Sequence, residues 1–234
     1  MGKTVELLAL ERGWTVRVLA GSRSSTISEQ DAAAVDVGIH FANGSTVANH
    51  VEQWARLRKP LVIGTTGWAD SLEKVRSTVE TSGIGVVYGA NFSPGVHLFT
   101  RLVTLVGTLA DRADEYDVGI HESHHKEKAD SPSGTALMLA GVLLERIRRK
   151  SELLKEPPHG PRKPEQLQVS SIRVGTTIGS HSVILDSPAD TIELTHKAKN
   201  RAGFALGALL AAEWIQTKTG FHSVDEVMHD FLDS

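Results

Sequence analysis

Short apolar runs alternate with amphipathic stretches through the first half of the chain. Residues 3–12 read as a helix, and Gly13 suits the position just past its end. "TVRVLA" (15–20) reads as a strand and "AVDVGIHF" (34–41) as a second. "STVANHVEQWARLRK" (45–59) has helical periodicity, with Ser45 in the N-cap position. "PLVIG" (60–64) is short and wholly apolar, as expected at the centre of a parallel sheet. Asp70 and Glu73 have capping-box spacing ahead of a helix that stops near Gly83. "IGVVYG" (84–89) is a further strand, and a helix follows Pro94-Gly95. Repeated strand–helix units predict a doubly wound α/β domain.

After about residue 112 the pattern changes. "EYDVGIHES" alternates polar and apolar, and one helix follows over 134–150. A Pro/Lys/Glu-rich connection (151–166) leads into "QLQVSSIRV", "SHSVILDS" and "DTIELTHKA". Successive strands without intervening helices predict a mixed or antiparallel sheet, hence a second domain of α+β type. "AGFALGALLAAEWIQT" (202–217) is a long helix and "SVDEVMHDFL" a shorter one.

Composition narrows the function classes. Hydrophobic content of 40% and charged content of 23% are ordinary for a globular protein. A net charge of -3 does not suggest a nucleic-acid partner, and Arg146–Lys150 reads as the solvated end of a helix. The absence of cysteine excludes disulfides, thiolate metal sites and cysteine nucleophiles. No run reaches the ~18 apolar residues of a membrane span, and the N-terminus lacks signal-peptide character. These features predict a cytoplasmic protein without a membrane partner.

The densest chemistry lies in "HESHHKEKADSPSGTA" (121–136). His121, Glu122 and His125 spell H-E-x-x-H, a zinc-peptidase signature when carried on a helix. Here the approach alternates like a strand and the exit contains Pro132 and Gly134, so no helix is expected. In an extended chain the two histidines would stand ~13 Å apart, too far for one ion. No metal is expected. Two readings then stand open. His124, His125 and Lys128 could gather beside a helix N-terminus at Ser133-Gly134-Thr135, where free N–H groups suit a carboxylate or phosphate. Alternatively, Ser133 simply caps a helix beside surface histidines.

The run "EsHHkeKaDsPSGTA" resembles the signature of bacterial dihydrodipicolinate reductase, now called 4-hydroxy-tetrahydrodipicolinate reductase. Three further stretches resemble that family in order: "LVIGTTGW" (61–68), "GANFSPGV" (89–96) and the closing run 179–215. The resemblance implies a Rossmann-type dinucleotide-binding domain (1–95 and 203–234) and an α+β substrate-binding and tetramerisation domain (96–202). It implies hydride transfer from NADPH or NADH to a cyclic dicarboxylated imine in diaminopimelate and lysine synthesis, by a homotetramer. His124 would donate the proton that completes the reduction, and Lys128 would stabilise developing negative charge. Both are expected to act in chemistry and not in folding. His125, Gly134 and Thr135 would hold the small dicarboxylate substrate. Arg201 is either a further cation or a surface arginine.

On the cofactor side the resemblance implies Gly64, Thr65, Thr66, Gly89, Ala90, Asn91 and Phe92, which follow strands at the carboxyl edge where doubly wound sheets bind ligands. Ordinary strand–helix turns would use similar residues. Ser22 and Arg23 lack the ribose-binding acid of many dinucleotide folds and suit the 2′-phosphate of NADPH, though such pairs are common in loops. Family members begin with a strand and a glycine-rich turn ending in Met-Gly. This chain starts at that point, so Gly2 and Lys3 are what remains of the fingerprint. The expectation is weakened dinucleotide binding and a start codon placed too late. The alternatives are a non-catalytic scaffold of the same fold and, remotely, the zinc peptidase.

Overall fold

The computed structural model describes residues 1–17, 29–156 and 160–233. Ser22, Arg23 and half of the expected strand 15–20 lie outside the described residues; Thr15, Val16 and Arg17 belong to no strand. In chain order the elements begin with α1 (Gly2–Glu11), α2 (Glu29–Ala33), β1 (Gly38–His40), α3 (Val47–Leu57), β2 (Leu61–Ile63), α4 (Leu72–Ser82) and β3 (Gly85–Tyr88). Next come α5 (Pro94–Ala110), β4 (Asp117–His124), α6 (Gly134–Arg146), β5 (Glu152–Leu154), β6 (Gln166–Arg173), β7 (Ser180–Asp186) and β8 (Thr191–Lys197). The chain closes with α7 (Ala202–Ile215), β9 (Gly220–Ser223) and α8 (Val224–Asp233). Two units result: Met1–Pro94 with Arg201–Ser234, and Gly95–Asn200.

The first unit is an α/β sandwich. Its sheet runs β1-β2-β3-β9, all parallel. Leu61, Val62 and Ile63 of β2 are all buried, so side chains on both faces leave water. Each such burial stabilises the fold by about 1.5–3 kcal/mol. Val62 and Val87 pack with Val5 and Ala9 of α1 and with Ala208, Leu209 and Ala212 of α7. Leu61, Ile63 and Val86 face Val51 and Trp54 of α3 and Val75 and Val79 of α4. The small residues of α7 permit a close crossing: a Cβ on Gly207 would sit 1.6 Å from the Phe92 carbonyl oxygen. Side-chain capping departs from expectation. Asn43 Oδ1, not Ser45, caps the turn before α3 by accepting the Ser45 N–H at 3.1 Å. A 3-10 turn (Ala69–Ser71) leads into α4 without the Asp70/Glu73 box.

The second unit carries a mixed sheet, β5-β6-β4-β7-β8, with β4 parallel to β6 and antiparallel to β7. On one face Phe99 and Val103 of α5 and Leu139, Ala140 and Leu143 of α6 pack on Val118, Ile120, Leu167, Val169, Val183 and Leu185. The opposite face shows Gly119, His121 and Ser123 beside Gln168, Ser170 and Ile172, and Ser180, Ser182 and Ile184. Strand alternation places those nine residues together, and none is Asp, Glu, Lys or Arg.

The basic run at the end of α6 is not simply a solvated helix end. Arg149 donates to the carbonyls of Ala110 and Tyr116 at 2.7 and 2.6 Å. The buried Lys150 ammonium donates to Asp117 Oδ1 at 2.7 Å and to the Pro164 carbonyl at 2.6 Å. The helix stops at Arg146, which turns these side chains inward as braces for carbonyls that α5 and the β6 approach leave open. No helix among the described residues is long and apolar enough to cross a membrane.

Candidate active site

The inward face of β4 reads Val118, Ile120, Glu122, His124. Two apolar positions fill the core, and the next two bring a carboxylate and an imidazole to the carboxyl end of the strand. His121 and His125 are not on a helix: β4 carries His121, and His125 begins the turn beyond it. The H-E-x-x-H geometry is therefore absent.

Glu122 is 0% exposed and makes three contacts. Its Oε1 accepts from Arg173 Nη2 at 2.8 Å and from the Ser133 N–H at 3.3 Å. Its Oε2 pairs with His124 Nδ1. Burial alone would raise the Glu122 pKa, but Arg173, with Ser171 and His124 beside it, outweighs burial and holds the carboxyl below its usual range. His124 shifts downward, chiefly because it is buried, with Lys128 and Arg173 adding repulsion and Glu122 opposing them. Its ring meets the edge of His181, with centroids 5.1 Å apart. Burial pushes His181 down to about 4.

Ser133 ties the strand end to α6. Its Oγ accepts the Ala136 N–H at 3.2 Å as the helix cap and lies 3.1 Å from His181 Nε2. Gly134 is exposed and Thr135 half-buried at the first turn of α6. His125 opens a tight turn closed by the Lys128 N–H on its carbonyl at 3.1 Å. Lys128 Nζ reaches Asp130 Oδ1 at 2.6 Å. The Asp130 carbonyl in turn accepts from Arg173 at 2.5 Å. Both open readings of this segment meet here: Ser133 does cap a helix, and that helix begins beside the imidazole and ammonium groups.

The donor atoms of Glu122, His124 and His181 lie within 4.8 Å of one another, a spacing that could admit an ion. Oε1 of Glu122 already accepts from Arg173 and the Ser133 N–H, and the guanidinium of Arg173 brings a fixed positive charge to the same carboxylate, which opposes a bound cation. The arrangement suits proton transfer beside an anionic ligand better than cation binding.

Sequence reasoning passed over Glu122, Arg173 and His181 as members of this cluster. Glu122 was legible, since residues two apart in a strand share a face. Arg173 and His181 reach the site by lateral pairing, His124 beside Arg173 and Glu122 beside His181, and nothing local in the sequence announces that register.

In the first unit the expected cofactor residues 64–66 and 89–92 lie past the carboxyl ends of β2 and β3. Gly64 donates its N–H to the His40 carbonyl at 3.0 Å, and Gly89 donates to that of Ile63 at 3.1 Å. Thr65 Oγ1 lies 2.7 Å from Nδ1 of the buried His40, which burial lowers to about 4, while Thr66 and Ala90 are exposed. Asn91 Oδ1 accepts the Ser93 N–H at 3.0 Å. The Phe92 ring is a core group, packed edge-on against Phe41, and its carbonyl lies against Gly207, so the buried residue offers no exposed surface to a cofactor. Gly2 and Lys3 are exposed at the start of α1, and Arg201 is exposed ahead of α7.

The sequence pattern described as "Dihydrodipicolinate reductase, N-terminus" matches residues 8–92, and "Dihydrodipicolinate reductase, C-terminus" matches 95–228. A 4-hydroxy-tetrahydrodipicolinate reductase of Neisseria meningitidis serogroup A is 33% identical over 95% of this chain and 83% of its own length. The enzyme of that name from Christiangramia forsetii is 33% identical over 99% of this chain and 95% of its own. Among solved structures, the dipicolinate-bound dihydrodipicolinate reductase of Paenisporosarcina sp. TG-14 superposes with a TM-score of 0.62 at 23% identity. It covers 82% of this chain and 73% of that one, a likeness of fold.

Proposed function

The chain belongs to the dihydrodipicolinate reductase family, and on that premise we propose how its residues carry the reaction. It is a nicotinamide-dependent oxidoreductase that reduces 4-hydroxy-tetrahydrodipicolinate to tetrahydrodipicolinate in diaminopimelate and lysine synthesis. The ring loses water and gains one hydride and one proton. The observation that carries the assignment of roles is the buried His124, anchored at a strand end beside Lys128 and the first turn of α6.

The exposed Thr66 and Ala90, with the backbone of Gly64, Gly89 and Asn91, fit a dinucleotide laid along the carboxyl edge of the first unit's sheet. Gly2 and Lys3 at the α1 N-terminus would add N–H groups for its phosphates. The bound nicotinamide supplies the hydride. Everything else falls to this chain's side chains. Gly134 and Thr135 offer the positive end of α6 to a substrate carboxylate, with His125 beside it. Lys128 exchanges Asp130 for the negative charge that develops on the ring, and His124 donates the proton. The reaction draws on the soluble nicotinamide pool, which supports a cytoplasmic site of action. The uncharged outer face of β4, β6 and β7 supports a homotetramer built on that sheet.

The test is loss of reduced-cofactor absorbance on adding freshly generated 4-hydroxy-tetrahydrodipicolinate to the purified protein, with NADPH and NADH run separately. Substrate-dependent oxidation is expected with at least one. None with either would remove the assignment, and the ratio of kcat/KM values ranks the two cofactors.

A further inference from the structure

We propose that Glu122 is a positioning residue for proton transfer: its carboxylate fixes the His124 ring with Nδ1–H toward Glu122, so that Nε2 is the atom that gives the proton. The proposal rests on the reductase reading and goes one residue deeper into it. A fully buried carboxylate must be paired or protonated. Here Arg173 and the Ser133 N–H hold Oε1, which keeps the group anionic and leaves Oε2 to His124. An ionised carboxylate only accepts hydrogen bonds. The proton between the two therefore belongs to His124 Nδ1, whether the ring is neutral or charged. Nε2 is bare in the first case and protonated in the second.

The other side of the ring has been left clear. Nε2 has no hydrogen-bond partner among the described residues, and residue 179 beside it is glycine. A Cβ there would stand 3.0 Å from Nε2, tight enough to crowd anything approaching it. The charged and titratable groups facing the ring are Glu122 on its own strand, Arg173 on β6, His181 on β7 and Lys128 in the following turn. Three of the four are cationic or become so, and burial works in the same direction. Glu122 is the only one that draws a proton onto the ring. Without it, His124 would be an imidazole held among cations, a poor acid near neutral pH. In the step itself, the enamine electron pair of the reduced substrate forms a bond from the substrate's carbon to the Nε2 proton as the N–H bond breaks. Nε2 keeps the electron pair, Nδ1–H stays on Glu122, and solvent later returns a proton to Nε2.

The experiment reads nitrogen-15 chemical shifts of the histidine rings in the full-length protein, across pH, for the parent, Glu122→Gln and Glu122→Asp. His124→Asn identifies the His124 signals. In the parent, neutral His124 is expected as the Nδ1–H tautomer. In Glu122→Gln its pKa falls and the two tautomers mix. kcat should drop ~10–100-fold, a part of the ~100–10,000-fold that general acid catalysis supplies, while KM changes less. The alkaline limb of the kcat profile should move to lower pH, because the acid form is lost earlier. Glu122→Asp, which keeps the charge, should recover part of that shift. An Nε2–H tautomer in the parent would overturn the proposal, as would an unmoved pH profile in Glu122→Gln. If Glu122→Gln does not fold, the parent spectrum alone still decides. A parent with the expected tautomer but no turnover would fault the reductase reading and not the role of Glu122 toward His124.

Discussion

Lys128 and His124 share one proposed site but differ in what the fold asks of them. Lys128 is partly exposed and paired with one exposed carboxylate, a contact worth about 0–1 kcal/mol. His124 is buried and satisfies one oxygen of a buried carboxylate, so removing it leaves that oxygen unpaired at a cost of about 1–3 kcal/mol. The sequence alone suggested that both serve chemistry and not folding. The contacts give Lys128 little weight in folding and give His124 a structural share beside its proposed chemistry. Lys128→Ala is predicted to lower kcat/KM by at least ~100-fold with a melting temperature close to the parent's. His124→Ala should lose comparable activity and melt several degrees lower. Calorimetry alongside steady-state kinetics checks both, and a Lys128→Ala enzyme with near-parental turnover would remove that residue from the mechanism.

At the scale of elements, what could be read ahead followed from periodicity within one segment. The buried run "LVI" gave the central strand β2, and the alternation from Val118 to His124 gave β4 and ruled out a zinc helix. Elements without their own pattern escaped. β9 is four half-buried residues, Gly-Phe-His-Ser, that become a strand only because β3 offers an edge to pair with. β5 is three residues within a proline-rich connection and exists through pairing with β6. Capping was misjudged for a related reason: one 3-10 turn ahead of α3 and another ahead of α4 move the true start past the residues that carry the cap pattern. The candidate site divides the same way. His124, Lys128 and Gly134 were legible from one contiguous segment, whereas Arg173 and His181 depended on cross-strand register.

Two properties belong to the whole chain. The first is acid sensitivity. His40 and His181 are buried with pKa values lowered to about 4, against about 6.5 in an unfolded chain. Between those values the unfolded state binds more protons than the folded one, so stability falls as pH drops from about 6.5 toward 4. Each residue contributes on the order of 3 kcal/mol across that window. Denaturant melts at pH 7 and pH 5 should show the loss, and a pH-independent midpoint between them would contradict the neutral, buried state of both rings. The second property is assembly. The uncharged outer face of β4, β6 and β7 predicts a homotetramer by light scattering at micromolar concentration. Replacing Ser170 with Arg should shift the population toward smaller species. A stable monomer in the parent would dismiss that arrangement.

The first unit is discontinuous in sequence: Met1–Pro94 is completed by Arg201–Ser234, with Gly95–Asn200 between them. On a ribosome this becomes a matter of timing. The face of β2 and β3 that α7 covers stays open until α7 has been made, and β9 has yet to join the edge of β3. At ~5–20 residues per second the intervening segment takes on the order of ten seconds to appear. Throughout that interval Val62, Val87 and Phe92 lack the alanine-rich helix that buries them, whereas the second unit, continuous in sequence, is complete before α7 begins to appear. The nascent chain is therefore most in need of protection in its first unit, late in its own synthesis.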